Sequence, residues 1–265
     1  MSWIRLWMFF VGCALAGGII PGQNVYNRLF CEAGLFSYSC RGDNVNDDGD
    51  FPNEIDTCCP AQWLLLANTM NALSVTIMFF LFLGGLIFDA IGGQRAAIMG
   101  CAINAIGFFV LAALLFTLQY SGAESMSPLV ETAIFCIAVI LIDAGSIIAN
   151  LSFFGFLWHL PRHHALVLSL SNSCMNVAAL VPLILRFFLR RYYTMVLLPS
   201  IIFWYAVSII GVAIPICWFC VPTVDEYRSR AMEVLGLPIP RRTIHGLSEV
   251  VKDVGVAFRI LKEHR

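Results

Sequence analysis

The chain has 265 residues, 59% of them hydrophobic and only 12% charged, with a formal net charge of −1. A soluble domain carries roughly twice that charged fraction, and a balanced charge leaves no electrostatic footprint for nucleic acid. Apolar runs of about 20 residues, the length that crosses a bilayer as helix, recur along a chain of mean hydropathy +0.81, so the composition defines an all-α integral membrane protein.

Hydropathy and its breaks predict six spans, at about 4–22, 61–88, 96–119, 130–158, 165–187 and 195–221. Residues 1–221 then form a six-helix membrane domain with an outer loop at 23–60, and residues 222–265 a polar tail. The first run holds Arg5, Trp7, Gly12, Gly17, Gly18, Pro21 and Gly22. It shows no small-x-small cleavage pattern, so it reads as a first span and not as a cleaved signal peptide.

The loop carries seven acidic residues (Glu32, Asp43, Asp47, Asp48, Asp50, Glu54, Asp56) against Arg28 and Arg41. Its four cysteines, Cys31, Cys40, Cys58 and Cys59, suit up to two disulfides on an oxidising face, with the pairing left open. The stretch NVNDDGD starts like a calcium loop, but Ile55 stands where the closing glutamate is required, so calcium is excluded.

Span two opens with a polar stripe of Gln62, Asn68, Asn71 and Ser74. Spans three and six carry little polarity beyond Asn104, Thr117, Ser200 and Ser208, and are expected to face lipid. Span four contains Asp143, Ser146 and Asn150, spaced i, i+3, i+7 and so on one helical face. Ionisable groups at membrane depth are costly and mark function or a partner helix. Proton coupling, recognition of a substrate amine and a helix-to-helix hydrogen bond are all open to Asp143. Span five repeats the pattern with Ser169, Asn172 or Ser173, and Asn176. Spans one, two, four and five are therefore expected to line a path.

Arg5, Arg95, Arg162 and the tail, which holds eight of the 16 basic residues, fall on one side of six spans. That side is expected to be cytoplasmic, with both termini on it. Arg186, Arg190 and Arg191 run against this assignment. From Leu247 the tail has the spacing of an amphipathic helix, with Arg259, Lys262 and Arg265 suited to anionic lipid. The HLPRHH turn lacks a fourth metal ligand, and no nucleophile–base pair or phosphate loop is present. No metal, cofactor or enzyme activity is expected.

Between spans two and three runs GGLIFDAIGGQR. Gly85, Ile87, Asp89 and Gly92, followed by Arg95, resemble the loop signature between the second and third helices of the major facilitator superfamily. The resemblance implies that Asp89 and Arg95 hold a cytoplasmic gate, with Gly85 allowing close helix approach and Gly92 the tight turn. A second stretch, Leu29, Gly34, Phe36, Ser37, Cys40, Cys59 and Gln62, is similar to the first outer loop and second helix of system-L-type facilitators of large neutral amino acids and related parasite transporters. The junction LPRHHALVLSLSNS also resembles that family's entry into helix five.

That superfamily has twelve helices in two halves with substrate between them. The chain resembles the N-terminal half. It is expected either to be incomplete or to assemble with a second six-helix half or a second copy. The expected function is alternating-access transport of amino acids or similar small polar solutes, with plasma-membrane location. Gly17, Gly18, Asn68, Asn71, Asp143, Ser146, Asn150, Ser173 and Asn176 would line the path. The alternative is a non-transporting membrane scaffold or regulator that uses the cysteine loop and tail as contacts.

Overall fold

The computed structural model describes residues 3–42, 58–121, 126–153, 169, 173, 180–192, 198–221 and 223. Every regular element among them is helical. Helix α1 (Trp3–Leu15) and helix α2 (Gln23–Glu32) are joined by an unwound stretch and a 3-10 turn, Ile20–Gly22. A second 3-10 turn covers Ser37–Gly42. Then follow α3 (Pro60–Ile91), α4 (Gly93–Ser121), α5 (Pro128–Phe153) and α6 (Leu180–Tyr192). The last described helix is α7 (Leu198–Ser208), a π-turn at Ile209–Ala213, and α8 (Ile214–Cys220).

Four stretches are long and apolar enough to cross a membrane: Pro60–Ile91, Gly93–Tyr120, Pro128–Phe153 and Leu198–Cys220. The bent α1–α2 pair makes a fifth if counted as one span. The protein is therefore a helical membrane protein. The expected fifth span, 165–187, falls mostly outside the described residues, and α6 represents its end. The tail from residue 224 lies outside them too.

Two expectations change near the N-terminus. The first span is not one helix over 4–22: the chain leaves α1 after Leu15 and bends by 76°. Gly17 and Gly18 carry no side chain to hold a helix together, and Pro21 supplies no N–H, so the helical ladder fails here for local reasons. Nor is 23–60 a plain loop, because it opens with ten residues of α2.

Helices α4 and α5 pack backbone to backbone. A Cβ placed on Gly100 would lie 2.5 Å from Ala149 N, and one on Gly107 would lie 2.6 Å from Ile142 N. One on Gly145 would lie 2.6 Å from Gly100 O. Small residues at such crossings let dispersion and weak Cα–H contacts replace the hydrophobic drive that lipid removes. Span three was expected to face lipid, yet 56% of α4's most apolar window is buried, against 11% for α3. The glycines decide this: they make α4 the closest partner of α5.

The two ends of the body differ. At one end lie the end of α2, both ends of the cysteine segment and the start of α5. At the other lies the α3–α4 turn, where Gln94 Nε2 donates to Trp218 O at 2.7 Å and ties the turn to α8.

Candidate functional site

The break between α1 and α2 frees backbone groups inside the helical body. Each one left bare would cost several kcal/mol in hydrocarbon. Side chains from three other spans meet them in sequence. Tyr205 Oη, on α7, donates to Leu15 O at 3.1 Å. Asn150 Nδ2, on α5, donates to Ala16 O at 3.3 Å. Asn104 Nδ2, on α4, donates to Gly17 O at 3.4 Å and to Ile142 O at 2.8 Å. Ile20 N then donates to Asp143 Oδ1 at 3.1 Å.

The polar groups are thoroughly enclosed. Asn104 is 0%, Asn150 2%, Asp143 3% and Ser146 5% exposed. Ser146 supports Asn150, whose Nδ2 lies 2.9 Å from Ser146 O and 3.2 Å from Ser146 Oγ. Phe108 stacks edge-on against Tyr205 at 4.9 Å and holds that ring in place. A Cβ on Gly18 would collide with the Asp143 carboxylate, so the glycine brings the unwound chain directly onto it.

Three acceptor oxygens in this cluster have no hydrogen-bond partner among the described residues: Asp143 Oδ2, Asn104 Oδ1 and Asn150 Oδ1. All three belong to side chains whose other polar atom already serves the turn. The amide orientations follow from that arrangement, since the nitrogens are the atoms facing carbonyls.

Of the residues expected to line a path, the structure gathers Gly17, Gly18, Asp143, Ser146 and Asn150 into this one cluster. It does not bring Asn68 and Asn71 there: both lie on the exposed face of α3, where Asn71 Oδ1 accepts from Gln23 Nε2 at 3.0 Å. Ser173 is exposed and donates to Ser169 O at 2.8 Å, and Asn176 lies outside the described residues. Sequence reasoning missed Asn104 and Tyr205. The signal for Asn104 was a lone amide inside an apolar span. Tyr205 left no polar signal, because its hydroxyl rides on a ring that hydropathy scores as apolar.

The cysteine segment forms a cap beside the site. The disulfides are Cys31–Cys58 and Cys40–Cys59, which settles the pairing that sequence left open. Buried Gln62 donates from Nε2 to Leu35 O at 2.6 Å and to Cys31 O at 3.2 Å. Glu131, at the start of α5 and 1% exposed, accepts from Phe36 N at 2.6 Å. Phe36 has φ 61°, in the left-handed region where side chains are crowded. Its ring packs edge-on against Phe135 at 5.5 Å. Arg186 Nη2 pairs with Glu32 Oε1 at 2.8 Å, so this arginine sits at the cap end with an acidic partner. The calcium-like stretch lies outside the described residues.

At the opposite end, Gly92 has φ 83° and closes α3, with α4 beginning at the next residue. The tight turn expected of Gly92 is present. Gly85 does not permit a close approach, because a Cβ there would meet nothing within 4 Å. Neighbouring Gly84 does, at 2.9 Å from Leu151 Cδ1. Asp89 and Arg95 are both exposed, and no ion pair joins them among the described residues. Gln94 makes the cross-link of this turn instead. Among the span cysteines, Cys101 and Cys217 are buried with sulfurs 3.6 Å apart, as packing residues would be.

No family model, no curated protein and no solved structure matches the chain. The class defined by fold and site is a helical membrane protein in which the freed backbone of a bent helix pair, α1–α2, is held by a buried polar cluster.

Proposed function

We propose that this protein is a secondary carrier of small polar organic solutes, with amino acids as the first class to test, and not an enzyme. The observation that carries the reading is the interrupted span held by Asp143, Asn104 and Asn150 inside the membrane. A plain anchor has no use for a break that needs one carboxylate and two amides to stabilise it. Carriers place unwound backbone at mid-membrane because it offers polar atoms there and divides a span into parts that can move separately.

The same reading assigns the Gly92 turn to the cytoplasmic side and the disulfide cap to the outside of a plasma membrane. Disulfides persist in oxidising compartments, which supports that direction. The turn between α3 and α4 keeps the glycine and aspartate positions of the major facilitator signature. A second six-helix half, or a second copy, would complete a path along the exposed face of α3.

The test is uptake of labelled amino acids and related solutes into liposomes holding the full chain. Solute accumulation above protein-free vesicles is expected, reduced by Asp143→Asn at equal protein incorporation. Absence of uptake for every solute class, including after co-reconstitution with a candidate second half, overturns the carrier reading.

A further inference from the structure

The acceptors left over at the break ask for a ligand of their own. Among the described residues Asp143 Oδ2 and Asn104 Oδ1 are unpartnered, and both belong to side chains at least 97% buried. Both side chains border the unwound stretch at Gly17–Gly18. Asn104 Nδ2 donates to Ile142 O, one residue before Asp143, and to Gly17 O, one residue before the glycine that touches the Asp143 carboxylate. The unpartnered side-chain atoms of this cluster are all acceptors.

Charge follows the same direction. Among the described residues no lysine, arginine or histidine bonds to Asp143; its described partners are the backbone amides of Ile20 and Ile19. Among the described residues, the other titratable groups near it are the phenols of Tyr26 and Tyr205, both buried or half-buried. A bare carboxylate in this setting is costly, and so is each bare amide oxygen.

We propose that Asp143, Asn104 and the unwound backbone at Gly17–Gly18 form a binding site for a small hard monovalent cation, of sodium size. Such an ion neutralises the carboxylate and engages several oxygens together, and oxygen-only donor sets suit hard cations. A proton neutralises the charge but engages one further acceptor at most. The tight packing of Gly18 against the Asp143 carboxylate favours a small ion over the ammonium of an organic solute. Asn150 stands two turns further along α5 and holds the turn at Ala16 without being needed as a ligand. The ion's role as a coupling ion rests on the carrier reading, whereas its binding does not.

The experiment measures binding of radioactive sodium to the purified full chain, with choline as the background salt. Saturable binding is expected, displaced by unlabelled sodium. Asp143→Asn, which keeps the shape, should weaken it by about 10-fold or more, as loss of a ligand or its support does at ion sites. Asn104→Ser should weaken it as well, with an unchanged elution profile on size exclusion, while Ser173→Ala should leave it intact. No saturable sodium binding by the wild-type chain overturns the proposal. So does thermal stabilisation by acid alone with no effect of sodium, which would assign the site to a proton. Sodium binding without solute uptake keeps the site and removes the carrier reading. Solute uptake indifferent to sodium, from a protein that binds none, does the reverse.

Discussion

Gly18 shows what a single missing methyl group can decide. Its Cα lies against the Asp143 carboxylate, and any Cβ must displace that group or the chain. Gly18→Ala should therefore destabilise the fold by about 1–3 kcal/mol, the usual cost of overpacking a tight interior. The midpoint of thermal denaturation in detergent reads this directly, and an unchanged midpoint would mean the turn relaxes without strain. Tyr205→Phe is the complementary change. It keeps the ring against Phe108 but removes the donor to Leu15 O, so a loss of about 1 kcal/mol is expected in the same assay. The residues around them also mark how far the sequence was legible. Asp143 stood out because a carboxylate in an apolar run has no bland surface explanation, and its i+3 and i+7 companions placed Ser146 and Asn150 beside it. What they face was hidden, since carbonyl groups freed by an unwound turn have no letter in the sequence.

Four of the spans were legible because lipid imposes a simple rule: long apolar runs become helices that satisfy their own backbone. Helix α2 was not, because QNVYNRLFCE is too polar on average to count as a span. Its buried residues, Tyr26, Asn27, Leu29, Phe30 and Cys31, nonetheless recur at helical spacing, and that signal was available. The α4–α5 crossing was hidden differently: glycines are neutral in hydropathy, yet Gly100, Gly107 and Gly145 set the approach of the two helices. Gly145→Leu should separate the helices, since the side chain would replace backbone contact with Gly100 and Asn104. Loss of most monodisperse protein in detergent extracts is the expected outcome, whereas the same change at open Gly85 should be tolerated. The cap is a separate element with its own test. Cysteines 19 residues apart close the Cys40–Cys59 loop, and a cross-link of that size contributes about 3 kcal/mol by restricting the unfolded chain. Replacing both by serine should lower the melting midpoint under oxidising conditions and abolish part of its dependence on reductant.

At the scale of the whole molecule, the contacts at the two ends fix how the spans alternate. The cap end gathers Glu32, Gln62, Glu131 and Arg186, which come from α2, α3, α5 and α6. The opposite end gathers Gln94 and Trp218, from α4 and α8, with Gly93 close to Ser152 O at the end of α5. Helices α3, α5 and α7–α8 thus run from cap to turn, and α4 runs back. Arg186, which opposed the positive-inside assignment when read alone, sits at the cap end because Glu32 offsets its charge. Orientation in the membrane then reduces to asking which end faces the outside. A membrane-impermeant maleimide applied to sealed, right-side-out cells should label Ser37→Cys without permeabilisation. It should label Asp89→Cys only after the membrane is opened. Labelling of both from the same side would contradict the alternation itself. Labelling in the reversed order would keep the alternation and invert the assignment, placing the cysteine pairs in the cytoplasm, where thiols are held reduced.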